Sequence, residues 1–103
     1  MAKASDPPRK TARINGRRWR IEIVETLADQ DGEPNLGQCD SDDRRILLRA
    51  GPMHQLQDTL FHELVHAACP SLDEDTVLEV ERGVYAVMAD NPALRNWLFR
   101  RQE

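Results

Sequence analysis

Two histidines four residues apart, His62 and His66, enclose Glu63, and residue types at this spacing specify a reaction. On an α-helix, positions i and i+4 lie above one another on one face, so both imidazoles can offer a nitrogen to a single cation. The pair supplies half of the tetrahedral shell that Zn²⁺ prefers. Glu63 projects from the neighbouring position, where its carboxylate can take a proton from water activated by the metal instead of occupying the metal itself. That is the general base of a hydrolase.

The pattern H-E-x-x-H is short enough to arise by chance, so its surroundings carry much of the argument. Leu60, Phe61, Leu64, Val65, Ala67 and Ala68 flank the three polar residues, and no charge other than Glu63 interrupts the run from Leu60 to Cys69. Burying two histidines and a glutamate on an apolar helix without a compensating ion costs on the order of several kcal/mol. A bound cation therefore explains the segment better than a core helix whose histidines merely hydrogen-bond to neighbours.

A metal helix must be held by other elements. Gly51-Pro52 precedes it, with Pro52 suited to a first helical turn, and Pro70 bars its continuation, so the helix is expected over residues 53–68. Upstream, Asn15-Gly16 is a tight-turn dipeptide and Trp19–Glu25 alternates apolar and polar residues with the period of a half-buried strand. Residues 28–37 are rich in Asp, Gly, Pro and Asn and read as a loop; Leu36–Cys39 reads as a short strand. Asp40-Ser41-Asp42-Asp43 then turns the chain into a second clear strand, Arg44–Arg49. A small antiparallel sheet is the expectation. Downstream, Asp73 is a good N-cap for a helix over Glu74–Ala89, closed by Asp90-Asn91-Pro92. A terminal helix over Ala93–Arg100 would pack Leu94, Trp97 and Leu98.

Catalytic zinc sites normally have three protein ligands plus water, so a third donor is required, and the second helix should supply it. At about 100° per residue, Val77, Val80, Val84, Val87 and Met88 define its apolar face, with Leu78 and Tyr85 at the margin. Glu74 and Glu81 fall within that face, whereas Asp75 and Glu79 point away. Glu74 lies in the first turn, where a carboxylate also complements the helix dipole. Glu81 sits mid-helix, and local physics alone does not choose between the two. Cys69 is a poorer candidate: seven residues beyond His62, it is roughly 10 Å further along a straight helix. Asp58, four residues before His62, is placed to orient that imidazole, although a solvated carboxylate is the simpler reading. Tyr85 could face an oxyanion but reads more simply as packed. His54 falls two turns before the site and is expected to be exposed.

At 103 residues and 11.8 kDa the chain can build one modest core, with no room for a separate substrate domain. Residues 1–12 read as a disordered basic tail and 13–103 as a single domain. The formal charge of −4 conceals a basic arm, in which Lys3, Arg9, Lys10, Arg13, Arg17, Arg18 and Arg20 face Asp6 alone. Such an arm can touch phosphates, but a solvated tail leading into a charge-guarded edge strand is the plainer reading, and nucleic acid is not the expected partner. No apolar run approaches the roughly 20 residues of a membrane span, and the N-terminus lacks the apolar stretch of a signal peptide. A cytoplasmic protein without membrane contact is expected, with Cys39 and Cys69 reduced. No signal points to a particular oligomeric state.

Three segments also carry a family likeness: Thr59–Ala67, Leu72–Val77 and Gly83–Pro92, preceded by the Gly-x-Cys-Asp of residues 37–40. Over roughly residues 13–92 the chain resembles the small phage- and prophage-associated zinc peptidase-like proteins, minimal gluzincins of the ImmA/IrrE type. The resemblance implies an α+β, compact zincin-like domain: a small antiparallel sheet packed on the H-E-x-x-H helix and a second supporting helix. It also implies Glu74 as the third ligand, because the glutamate opening the second helix is the one that recurs in that family. The place of Glu81 is usually small or apolar there, so Glu81 is a departure that leaves open an exchange of roles or the task of orienting a histidine.

The expected function is a zinc-dependent metallopeptidase acting on a peptide or protein substrate, with Zn²⁺ held by His62, His66 and Glu74 and Glu63 as general base. The alternative is a catalytically silent zinc-binding phage regulatory or interaction module. The intact Glu63 argues against it, since structural zinc sites are closed by four protein ligands and need no base.

Overall fold

In the computed structural model, which describes residues 10–100, the turn at Asn15-Gly16 joins β1 (Thr11–Ile14) to β2 (Arg17–Val24). Both turn residues have positive φ, 51° and 78°, the two-residue turn whose twist matches that of paired strands and which Asn-Gly adopts at low cost. The hairpin runs back from Ile14 opposite Arg17 to Thr11 opposite Arg20. The expected tail over residues 1–12 is thus too long: Thr11 and Ala12 are strand, held by backbone pairing that needs no apolar period. Residues 1–9 of that tail lie outside the described residues.

β3 (Gly37–Asp40) and β4 (Arg45–Arg49) complete a four-stranded sheet in the order β1-β2-β4-β3. β1 with β2 and β3 with β4 are antiparallel, but β2 and β4 are parallel, with Ile21 opposite Ile46 and Ile23 opposite Leu48. The sheet is therefore mixed, not antiparallel as expected. Burial accounts for the strand order: Ile46 and Leu48 are fully buried, so β4 takes a central place. The strand containing Gly37, Gln38 and Asp40 is left at the edge, where polar residues and glycine are tolerated.

One face of this sheet, carrying Trp19, Ile21, Ile46 and Leu48, is covered by α1 (Met53–Ala68), whose Leu56 and Ala67 are buried and whose Leu60 and Leu64 pack alongside. Complete burial of aliphatic side chains such as Ile46 and Leu48 stabilises by about 1.5–3 kcal/mol each before entropy is counted. Only residues 50–52 separate β4 from α1, so α1 is tied directly to a central strand. Its far end is held as well, because Asn15 Nδ2 donates to the Ala68 carbonyl at 3.0 Å.

After Pro70 the chain turns, and Asp73 caps the next helix by accepting from the Thr76 amide at 2.8 Å. Hydrogen bonding from Thr76, first by its side chain and then by its amide, holds the Asp73 carboxyl below its ordinary pKa. α2 (Glu74–Val80) continues without a break through a wide π-helical turn (Glu81–Tyr85) into α3 (Ala86–Asp90). The face turned to α1 carries Glu74, Glu81 and Tyr85, with Val77 fully buried, whereas Val84 and Val87 are exposed. The apolar stripe extrapolated at 100° per residue fails here because each residue of a wider turn advances the helix by less. α4 (Pro92–Phe99) follows, but Leu94, Trp97 and Leu98, expected to pack, are exposed, as is Phe99. α4 lies against α3, which itself buries no residue, so there is no core for it to cover. No helix among the described residues is long and apolar enough to cross a membrane.

Candidate metal centre

The buried stripe of α1 decides where its polar side chains point. Leu56, Thr59, Glu63 and Ala67 recur at intervals of three and four and face the sheet. Glu63, only 7% exposed, is therefore directed at edge strand β3, while His62 and His66, on the flank of the stripe, face the second helix. One helix thus sends its carboxylate and its imidazoles to adjacent walls of the same cleft.

His62 Nε2 and His66 Nε2 are 3.2 Å apart, their rings crossing at 68°. Glu74 closes the group: its Oε1 lies 2.8 Å from His62 Nε2 and its Oε2 lies 2.8 Å from His66 Nε2. One donor atom from each of the three residues falls within 4.8 Å of the others. Zinc bonds of 2.0–2.1 Å to nitrogen or oxygen give a tetrahedron with edges of roughly 3.3 Å, so the histidine pair has the separation of one such edge. The donor set also fits. Two imidazoles and a carboxylate suit zinc, and two Nε2 atoms facing each other and a carboxylate could hold one cation between them. Glu74 is 60% exposed in its side chain, so the third donor comes from the solvent side while the histidines, at 14% and 24%, form the floor.

Glu81 occupies the other end of His62, its Oε1 lying 3.1 Å from Nδ1. The two glutamates left open by the helix geometry are thereby separated: Glu74 joins both Nε2 atoms, and Glu81 touches only the outer nitrogen of one ring. Asp58 does not reach His62; it sits beside Tyr85, where burial and then this carboxylate raise the phenol pKa. Tyr85 packs edge-on against Phe61 at 5.2 Å and does not line the cleft. His54 is exposed at the helix start, and Cys69, also exposed, ends α1 with its amide on the Val65 carbonyl.

Around Glu63 the electrostatics are set first by burial. Burial pushes its pKa up, His62 and His66 pull it down, and Glu74 and Glu81 raise it again, leaving a net upward shift. Cys39, on the β3 wall, is pushed up to about 11, first by burial and then by Glu63, so its thiol stays protonated and is a poor metal ligand.

The residue missed in the sequence is Gly37. A Cβ there would meet Thr59 Cγ2 at 2.5 Å, Glu63 Oε2 at 3.0 Å and Glu63 Cγ at 3.1 Å, so only glycine lets β3 approach α1 at Glu63. Gly37, His62 and Glu63 line two neighbouring hollows, one of about 810 Å³ bounded by Asp29, Gln38 and Glu74 and one of about 490 Å³ bounded by Asp58, Leu78 and Glu81. The Gly-x-Cys-Asp of residues 37–40 was the available signal; an isolated glycine in a strand marks a bulge or a close approach. No family model, curated protein or solved structure matches this chain.

Proposed function

We propose that this chain is a zinc-dependent peptidase with a zincin-like arrangement, acting on a peptide or protein substrate. One observation carries the reading: the Nε2 atoms of His62 and His66 and the carboxylate of Glu74 converge on one point, with the buried Glu63 beside them in the same cleft. The likeness of the H-E-x-x-H segment and its following helix to minimal gluzincins supports it.

His62, His66 and Glu74 would hold the ion. A zinc ion bound there supplies Lewis acidity, lowering the pKa of water toward neutrality and polarising a carbonyl. The protein residues do the rest. Glu63 takes the proton of the attacking water and returns it to the leaving amine, a task suited to a carboxylate whose pKa burial has raised. The sheet wall behind Glu63 limits its access to bulk solvent and fixes its distance from the histidines. The two hollows on either side of Gly37 offer room for substrate groups on both sides of the reacting bond.

The test is Glu63→Gln in the full chain, with zinc content and hydrolysis of an unstructured protein such as casein measured together. Zinc should remain bound while hydrolysis falls by about 10²–10⁴-fold. Hydrolysis unchanged by the substitution would overturn the assignment of Glu63. A zinc-loaded wild-type chain that cleaves nothing would favour the silent binding module.

A further inference from the structure

His62 and His66 present the same nitrogen to the same point, yet their outer nitrogens differ. His62 Nδ1 faces Glu81 Oε1 at 3.1 Å, whereas His66 Nδ1 has no hydrogen-bond partner among the described residues. Glu81 is well placed to be specific. Its side chain is 20% exposed, and among the described residues His62 is its one ionic partner; neither Arg82 nor any other Arg or Lys pairs with it. A solvated mid-helix glutamate would not need to stand against an imidazole. Glu81 is also seven residues beyond Glu74, two helical turns along the same side, so one helix meets His62 at both of its ring nitrogens.

We propose that Glu81 is a positioning residue that holds His62 as the Nδ1–H tautomer, making it the anchored ligand of the pair and leaving His66 as the exchangeable one. This rests on the metal-binding reading of the site. A neutral imidazole carries one N–H, and a carboxylate can only accept, so the hydrogen bond to Glu81 places the proton on Nδ1 and leaves the Nε2 lone pair free for a cation. The same contact fixes the rotation of the ring, because the carboxylates of Glu74 and Glu81 grip opposite ends of it. It also makes Nε2 a stronger donor, as carboxylate partners of metal-binding histidines do. His66 lacks such a partner and is the weaker donor of the two. The anchored histidine is the less exposed one, and the exchangeable one lies nearer solvent.

The experiment compares wild type, Glu81→Ala and Glu81→Gln in the full chain, reading zinc affinity by competition with a chromophoric chelator. Histidine ring ¹⁵N–¹H spectra report the tautomer. Glu81→Ala should bind zinc about 10–100-fold more weakly. Glu81→Gln keeps an oxygen that can accept from Nδ1–H and should recover part of the loss. In zinc-loaded wild type the Nδ1–H of His62 should show the downfield proton shift of a hydrogen bond to a carboxylate and that of His66 should not; the same shift on both rings overturns the proposal without reference to any variant, including the case in which Glu81→Ala does not fold. A folded Glu81→Ala that binds zinc within about twofold of wild type, or a Glu81→Gln no tighter than Glu81→Ala, overturns it as well. If the wild-type chain takes up no zinc, the metal-site reading falls and this inference with it; if wild type binds and the variants bind equally, this inference falls alone.

Discussion

Gly37→Ala probes the contact between edge strand β3 and α1 with the smallest possible perturbation. The added methyl carbon would stand 2.5 Å from Thr59 Cγ2 and 3.1 Å from Glu63 Cγ, where carbon atoms normally approach to about 3.5–4.0 Å. The shortfall is thus about 1 Å at Thr59 and about half that at Glu63. Thr59 is buried and β-branched, with few rotamers available in a helix, so it yields only if β3 and α1 separate. Glu63 can yield by moving its own carboxylate. Overpacking of this size costs about 1–3 kcal/mol. Alanine in a strand recovers roughly 0.5–1 kcal/mol over glycine, since no positive φ is required at this position. The net expectation is a destabilisation of about 1–2 kcal/mol. If Glu63 is the general base of the proposed hydrolysis, its displacement by up to about 1 Å should slow that reaction by about 10²-fold. His62, His66 and Glu74 are not among the nearest atoms to the new methyl, so zinc affinity should hold. Urea unfolding followed by circular dichroism, chelator competition and a hydrolysis assay on one preparation separate the three effects. Unchanged stability together with unchanged turnover would refute the close approach, and zinc loss in proportion to activity would refute the steric account.

Two further outcomes follow from contacts away from the cleft. Asn15→Ala removes both a residue tolerant of φ 51° and the hydrogen bond to the Ala68 carbonyl, and urea unfolding should register a loss of about 1–2 kcal/mol; Asn15→Asp, which keeps the turn tendency but not the donor, should lose less. Iodoacetamide at mildly alkaline pH should label exposed Cys69 well before Cys39, whose thiol ionises only near 11, as read by mass spectrometry of the intact chain. The sign for Cys39 also fixes a stability trend. A thiol with its pKa raised from 9.0 to about 11 on folding favours the native state below pH 9, and this contribution is lost as pH rises toward 11.

Where local chemistry determines structure, the sequence was readable. Pro52 and Pro70 bracket α1, whose observed span, Met53–Ala68, matches the expectation; Asp73 caps α2; Asn15-Gly16 makes its hairpin turn. Two of the proposed ligands follow from helical periodicity alone, and the structure brings Glu74 to them. What failed depends on partners distant in sequence. Alternation in β2 and β4 reports which face is buried but not strand direction, so their parallel pairing was hidden. The wide turn at Glu81–Tyr85 has no signature in residue type, and it turned Val84 and Val87 outward. Leu94, Trp97 and Leu98 have the spacing of a packed helix, but spacing cannot supply something to pack against. Gly37 acquires its meaning only when α1 crosses β3.

The seam between α1 and the helix that follows it joins histidines to carboxylates, with Phe61 edge-on to Tyr85 and Val77 fully buried beside them. The sheet and α1 are joined instead by an aliphatic core. These two joints respond to different agents: ligand exchange acts on the first, urea and heat on both. Stripping the proposed ion with a chelator should therefore loosen the C-terminal helices before the sheet.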